Sequence, residues 1–188
     1  TDNFGYSGNR DLKPEKSNTY EIYSNIKFNE NLNLTLSAFR SNIENNIEYI
    51  SNKYQNDNDN INLNQSGFNN HLNFQLNDTN INLFSSFLSS KKENRADQLR
   101  RPEKNYGLNF SQKVDNSFLG NLNFNLSYNH YGKHFDTHSS NFSTIEMDSA
   151  DIIDLKITKK LNNNDFYIKV TNALDENYQK PHGYNQEN

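Results

Sequence analysis

Apolar and polar residues alternate along most of the chain. Between residues 121 and 128, Leu122, Phe124, Leu126 and Tyr128 fall on one face of an extended chain, and Asn or Ser residues fall on the other. A period of two is typical of a β-strand, whereas a helix repeats about every 3.6 residues. No segment combines a helical apolar stripe with a capping residue. The pattern therefore predicts an all-β chain.

Eight segments carry this alternation and are predicted to be strands. They run over Thr19–Phe28, Leu32–Ile50, Ile61–Leu76, Asn80–Ser89, Lys104–Val114, Asn121–Tyr131, Met147–Lys159 and Asp165–Asn172. Many of them are longer than the roughly five or six residues that are usual in soluble sheets. Tyr or Phe residues recur near their ends, at Tyr20, Phe28, Tyr49, Tyr106, Tyr128 and Tyr131.

The connections between these strands alternate between short and long. The short ones are rich in Asn, Asp and Gly, as tight turns are: Asn29–Asn31, Asn77–Thr79, Asp115–Gly120 and Leu161–Asn164. The long, polar ones are Ser51–Asn60, Ser90–Glu103, Gly132–Glu146 and the tail from Ala173. Long strands joined by alternating short turns and long loops are typical of a transmembrane β-barrel. The short connections should then meet at one rim, opposite Ser90–Glu103.

The composition fits such a barrel better than a soluble core. Only 32% of the residues are hydrophobic and the mean hydropathy is −1.07, yet the chain has 13 Phe and 11 Tyr. Asn occurs 38 times, mostly between apolar residues. A barrel places alternate residues against lipid and water, so Leu122, Phe124 and Leu126 are predicted to face lipid. The net charge of −4 argues against a nucleic-acid partner.

Two other architectures share parts of this pattern. A soluble antiparallel sandwich also has alternating strands, but the length of the strands disfavours it. Eight strands could also close a small barrel with a structural or adhesive role. The loop-like sequence of Tyr184–Asn188 disfavours closure, because small barrels of that kind usually finish on a spanning strand.

No arrangement of residues indicates an enzyme, a cofactor or a metal site. His130, His134 and His138 run from a strand into a loop, so their rings are not expected to converge. Residues 56–60 alternate Asn and Asp, but they lack the Gly and the bidentate Glu of a calcium loop. There is no Gly-x-Ser-x-Gly elbow and no phosphate-binding loop.

Two motifs resemble segments of the TonB-dependent outer-membrane receptors. Gly8–Ser17, with Glu21 after it, resembles that family's G-N-P-x-L-K-P-E-x-S-x-x-x-E segment, with Arg10 in place of the first Pro. Val170–Tyr178 resembles its N-L-F-D-x-x-Y segment. Pro14 keeps the first motif extended, and Asn172 and Asp175 can cap a turn through side-chain hydrogen bonds. Both motifs are expected to shape the chain where it enters and leaves loops.

Within that family, the second half of the chain looks most like the vitamin B12 (cobalamin) receptors. Leu99–Lys104 resembles a segment that opens one of their late strands, and Tyr131–Asp136 follows at a similar spacing. The resemblance implies that Arg100 contacts the ligand. Asp136 and Thr137, in the following loop, are predicted as further ligand-binding residues. An arginine is suited to such a role because it binds carboxylate, phosphate or amide groups.

The resemblance also implies what the whole protein does. Residues 1–188 are expected to form the C-terminal portion of a barrel of about 22 strands, without the plug domain and the final strand. The parent protein would take up a scarce nutrient, cobalamin or a siderophore, in the outer membrane of a Gram-negative bacterium. Its partners would be that nutrient, the TonB complex through the plug, and outer-membrane lipid and lipopolysaccharide.

Overall fold

Twelve β-strands form within the described residues of the chain. The structure is a computed structural model, and it describes residues 9, 11–50, 53–56, 62–92, 98–116 and 120–184. The strands are β1 (Lys16–Lys27), β2 (Leu32–Glu44), β3 (Ile47–Ile50), β4 (Lys53–Asn56), β5 (Leu63–Leu76), β6 (Thr79–Lys92), β7 (Lys104–Asn116), β8 (Gly120–Tyr131), β9 (His134–Thr137), β10 (Thr144–Met147), β11 (Ala150–Leu161) and β12 (Asn164–Val170). The described residues contain no helix that is long and apolar enough to cross a membrane.

Eight of these strands form one continuous antiparallel sheet. Its order is β1-β2-β5-β6-β7-β8-β11-β12, so each long strand pairs with the next long strand along the chain. β1 and β12 are the two edges, and in the part of the chain that the structure describes they do not pair with each other. The sheet is therefore an open segment of a barrel wall, as the all-β prediction required. It is neither a closed eight-stranded barrel nor a sandwich of two packed sheets.

Two predicted strands are wrong at one end. The strand predicted over Leu32–Ile50 ends at Glu44, where Asn45 turns the chain with a φ of 56°. The last four residues of the predicted strand, Ile47–Ile50, form β3 instead, which pairs with β4 (Lys53–Asn56) from the predicted long connection Ser51–Asn60. Likewise, Met147 belongs to the β9–β10 hairpin and not to β11. The alternation continues across both breaks, so the sequence pattern alone could not reveal them.

One face of the sheet is apolar across its full width. Cross-strand register places Phe124 opposite Gln112 on β7 and Ile157 on β11. Following the same register gives an apolar band that includes Ile22, Ile26, Leu34, Leu72, Phe74, Ile81, Leu83, Leu108, Phe110, Leu122, Leu126, Leu155, Ile157 and Ile168. Within the described residues, the buried hydrophobic side chains are Leu63, Met147, Ala150 and Ile152, which lie away from the middle of this band. The described residues thus leave the middle of the apolar face uncovered.

The short connections meet at one rim of the sheet, here called the turn rim. Asn77 and Asn162 occupy equivalent positions in the two-residue turns after β5 and β11, with φ of 51° and 53°. The Gln75 N–H donates to Asn31 O (2.8 Å) and the Lys113 N–H donates to Asp78 O (3.0 Å), which joins neighbouring turns. The predicted topology of the short turns is confirmed; residues 117–119 of the connection after β7 lie outside the described residues.

The polar face carries two glycines that a cross-strand phenylalanine covers. Gly67 pairs with Phe39 on β2, and Gly107 pairs with Phe84 on β6. A Cβ atom at either glycine would collide with the ring of its partner. Glycines covered by aromatic rings let a sheet bend without exposing its backbone. These pairs therefore favour the curvature that a barrel wall needs.

Candidate functional site

Three segments come together at the opposite rim, here called the loop rim. They are residues 98–103 before β7, the β9–β10 hairpin, and residues 171–184 after β12. Few backbone hydrogen bonds join these three segments to one another. Side chains of the sequence-predicted site residues join them instead.

Asp136 is at the centre of this junction and its exposed fraction is 0%. Its Oδ1 accepts hydrogen bonds from Arg100 Nε and from the Thr137 N–H, both at 2.7 Å. Its Oδ2 accepts the His182 N–H, also at 2.7 Å. One buried carboxylate thus ties together all three segments.

These hydrogen bonds also determine the charge of Asp136. Burial by itself raises the pKa of this carboxyl group, but the bonds from the His182 N–H, Arg100 and the Thr137 N–H outweigh it. The net result is a pKa below the ordinary aspartate value. A depressed pKa means that the junction is fully stabilised above the ordinary carboxyl range, near about pH 4, and loosens as the pH falls below it.

Arg100 is held at two points and leaves the end of its side chain open. Its backbone N–H donates to Phe135 O (2.7 Å), and its φ of 59° turns the chain toward the β9–β10 hairpin. The side chain is 63% exposed although Nε bonds Asp136. No acceptor in the described part of the chain takes a hydrogen bond from its Nη atoms. The guanidinium is therefore oriented by Asp136 while its outer edge remains available to a ligand.

That outer edge faces an open cavity of about 430 Å³. The cavity is lined by Arg100, Pro102, Asn105, Tyr131, His134, Lys180 and Pro181, none of which is acidic. The cavity lies on the polar face of the sheet, because Asn105 and Tyr131 are paired there. Among the aromatic residues near the strand ends, Tyr131 lies on this polar face, whereas Tyr128 lies on the apolar face.

The lining of this cavity offers cations and an aromatic surface. Lys180 Nζ lies 4.2 Å from the ring centroid of Tyr131, which also stacks on Tyr178 at 6.2 Å. Asn105 Oδ1 is buried, and no hydrogen-bond partner for it lies among the described residues. The cavity, here called the Arg100 cavity, is therefore suited to an anionic ligand.

Arg101 points into a different environment. It lines a separate cavity of about 250 Å³ together with Lys133, Glu103 and Glu146. Lys133 Nζ lies 3.7 Å from a carboxylate oxygen of Glu146. Positive and negative charges are balanced there, in contrast to the Arg100 cavity. The two adjacent arginines are consequently a natural pair for comparison.

The structure brings the three predicted site residues together, although their contact with a ligand stays a prediction. Arg100 lines the cavity, whereas Asp136 is buried behind it and Thr137 supplies a backbone N–H to Asp136. Sequence reasoning did not find Asn105, Lys180 or His182. Nothing in their local sequence marks them, because Lys180 and His182 reach the site only when residues 171–184 pack against the hairpin, and Asn105 lies there through the pairing of β7 with β8.

The two family-like motifs have structural roles at this rim. Glu15 Oε1 accepts the Ile47 N–H at 2.7 Å, and Asn45 Nδ2 donates to Pro14 O at 3.3 Å. These contacts hold the β3–β4 hairpin against the entry to β1. Asn172 exchanges two hydrogen bonds with Glu176, donating from Nδ2 (2.9 Å) and accepting at Oδ1 (3.0 Å). The predicted capping role of Asn172 is confirmed.

Replacing Asn172 with alanine is expected to loosen residues 171–184. The change removes both side-chain bonds to Glu176 from a buried position, and it puts alanine at a φ of 48° that asparagine tolerates better. We expect a local loss of about 1–3 kcal/mol, measured as faster amide hydrogen exchange of this segment in the full-length protein. Asn177→Ala, at an exposed position of the same segment, is the matched control and should leave exchange unchanged. Equal exchange in the two variants would contradict the capping role.

Metal binding finds no support in the described parts of the chain, where no group of three or more His or acidic side chains is placed to hold an ion. His134 Nε2 bonds Lys180 O (2.8 Å), and His138 bonds Ser140 within its own turn. The site therefore has the chemistry of binding through charge, hydrogen bonds and aromatic contact.

An open antiparallel sheet with short turns at one rim, long connections at the other and an uncovered apolar face defines the chain as part of a β-barrel wall. The family model "TonB dependent receptor-like, beta-barrel" matches residues 1–173. The chain belongs to this family.

Solved structures show the same fold. The ferripyoverdine receptor of the Pseudomonas aeruginosa outer membrane matches with a TM-score of 0.74 and 17% identity, over 90% of this chain and 24% of that one. The ferric yersiniabactin uptake receptor FyuA of Yersinia pestis matches with a TM-score of 0.73 and 16% identity, over 90% and 26%. The siderophore receptor PiuA of Acinetobacter baumannii matches with a TM-score of 0.70 and 21% identity, over 95% of this chain and 27% of that one. The chain thus spans about a quarter of these proteins. No curated protein sequence matches it.

Proposed function

We propose that this chain is part of an outer-membrane receptor that binds a scarce nutrient at the loop rim and admits it with energy transmitted by TonB. Family membership supports the class of protein. The loop rim would face the outside of the cell, as long loops do in outer-membrane barrels. The turn rim would then face the periplasm, and the uncovered apolar face would contact lipid and lipopolysaccharide.

The observation that carries the proposal is the Arg100 cavity. Its cations are Lys180 and Arg100, whose Nε is paired with the buried carboxylate of Asp136 while its outer edge stays exposed, and its lining residues include no carboxylate. An arginine already oriented by a buried carboxylate loses little freedom on binding, which favours affinity. Such a cavity is suited to a ligand that carries phosphate, carboxylate or another anionic group.

Two classes of nutrient meet this requirement. Cobalamin, which carries a phosphodiester and amides, is implied by the resemblance of Leu99–Lys104 and Tyr131–Asp136 to the cobalamin receptors. Ferric siderophores are the second class, because three similar solved structures are siderophore or ferric-siderophore receptors. Because those similarities are below 25% identity, they support the ligand class less strongly than they support the fold. The plug and the TonB complex would be partners in both cases.

Equilibrium binding to the full-length protein in detergent distinguishes these ligands. We expect saturable binding of either cyanocobalamin or a ferric siderophore, and competition for that binding by an excess of the same unlabelled ligand. Uptake by cells should require an intact TonB system. Binding without TonB-dependent uptake would contradict a transport role. If neither ligand class binds, the proposed ligands are wrong, although the membership of the receptor family is unaffected.

A further inference from the structure

Two histidine side chains connect the β9–β10 hairpin to the segment after β12. His182 Nδ1 accepts a hydrogen bond from the Ser139 N–H at 3.0 Å. His138 Nδ1 accepts a hydrogen bond from the Ser140 N–H at 3.2 Å. The two imidazole rings are in contact, with their centroids 4.4 Å apart. These four residues are here called the histidine latch.

The hydrogen bonds define which protonation state the latch requires. A backbone N–H can only donate, so both Nδ1 atoms must carry a lone pair and not a proton. A proton on His182 Nδ1 turns the acceptor into a donor that faces another donor. Protonation of both rings also places two positive charges side by side. Neutral imidazoles therefore satisfy both N–H donors. A proton on His182 Nδ1 leaves the Ser139 N–H without its acceptor, whereas a proton on His138 Nδ1 can still be donated to Ser140 Oγ, 3.1 Å away.

The backbone at the latch allows the two segments to approach closely. Gly183, next to His182, has a φ of 85°. A Cβ atom at Gly183 would lie 3.1 Å from Ser139 Cβ and Oγ. The segment thus rests directly on the turn between β9 and β10, with the Arg100 cavity at its side.

We propose that the histidine latch is an acid-sensitive contact, which holds the Ser139–Ser140 turn against His182 and Gly183 at neutral pH and loosens in mild acid, while Asp136 and His134 keep their bonds to residues 180–182. Histidine is the side chain whose charge ordinarily changes between about pH 5 and 8. The proposal goes beyond ligand uptake and does not depend on the identity of the ligand.

Charged groups around the latch act in both directions. Asp136, which accepts the His182 N–H, favours a positive imidazole, whereas Arg100 and Lys180 oppose it. His134 Nε2 donates to Lys180 O and keeps this bond when it is protonated. Lys133 is paired with Glu146 and Asp148 at 3.7 and 3.6 Å. Only the two latch histidines lose an acceptor in acid, and so they determine the direction of the response.

Asp136 responds in a different pH range. Its pKa is lowered by the hydrogen bonds it accepts, so its carboxylate keeps its charge throughout the range in which histidines titrate. The anchor between Arg100 and Asp136 therefore remains while the histidine latch opens. A change in protection caused by the histidines can therefore be distinguished from one caused by Asp136 by the pH at which it occurs.

Amide hydrogen exchange of the full-length protein in detergent, followed by mass spectrometry, tests the proposal. Between about pH 7.5 and 5.5, protection of the Ser139 and Ser140 amides, which donate to the two rings, should fall by at least about tenfold after correction for the intrinsic exchange rate. Strands β7 and β8 should keep their protection, which shows that the barrel stays folded. Unchanged protection at the latch would overturn the proposal.

Asparagine substitutions supply the matched variants. In His182→Asn the side-chain oxygen takes the place of Nδ1 as an acceptor and cannot be protonated in this range. We expect the pH response of the latch to fall below about twofold, against about tenfold in the wild type. His138→Asn tests the pair from the other side and should weaken the response, since only one ring can then be charged. His71→Asn, on β5, is the control and should respond as the wild type does. A wild-type response in His182→Asn would refute the latch.

Discussion

Replacing Phe124 with lysine should destabilise the folded barrel by about 2–4 kcal/mol. Phe124 lies on the apolar face of β8, between Gln112 on β7 and Ile157 on β11. If this face contacts lipid, as proposed, a lysine there must either carry its charge into hydrocarbon or extend toward the interface. Either response costs free energy because the bilayer offers no water at this depth. The free energy of unfolding of the full-length protein in phospholipid vesicles, measured by denaturant titration, gives the size of the effect.

Two variants on the same strand make this result specific. Phe124→Leu keeps an apolar side chain and should cost less than about 1.5 kcal/mol. Ser127→Lys places the same charge on the polar face, opposite Asp154, where water is expected. It should therefore change the stability by less than about 1 kcal/mol. If lysine is tolerated equally at positions 124 and 127, the assignment of the two faces is wrong.

Replacing Arg100 with alanine should weaken ligand binding by roughly 10- to 150-fold. The change removes the open guanidinium edge from the Arg100 cavity, and with it charge-assisted bonds worth about 1.5–3 kcal/mol. At about 1.4 kcal/mol per tenfold change in the dissociation constant, this gives the expected range. The measurement is equilibrium binding of the ligand that the wild type binds, in detergent.

Arg101→Ala is the control, because Arg101 lines the neighbouring cavity whose charges are already balanced. It should change the dissociation constant by less than about threefold. Asp136→Asn separates direct contact from orientation: it keeps an acceptor for Arg100 but removes the charge. An intermediate loss is expected, since the guanidinium would be present but less firmly held. Equal, small effects of Arg100→Ala and Arg101→Ala would show that Arg100 does not contact the ligand and is only a charge on the surface.

The sequence by itself determined the fold class, the faces of the sheet and the rim at which the short turns meet. These features are local: alternation sets which side chains share a face, and Asn-rich turns such as Asn77–Asp78 and Asn162–Asn163 reverse the chain within two residues. The capping role of Asn172 could also be predicted from the sequence, because its hydrogen bonds connect residues only four apart.

Only the tertiary structure decided how the loop rim is assembled. Alternation runs on past Asn45, so the end of β2 depended on backbone geometry that the pattern does not encode. Arg100 and Asp136 could each be singled out, but their contact spans 36 residues and requires the β9–β10 hairpin to form. His182 joins the same carboxylate from 46 residues away. Contacts over such separations follow from the packing of whole segments, and no local pattern of residue types specifies them.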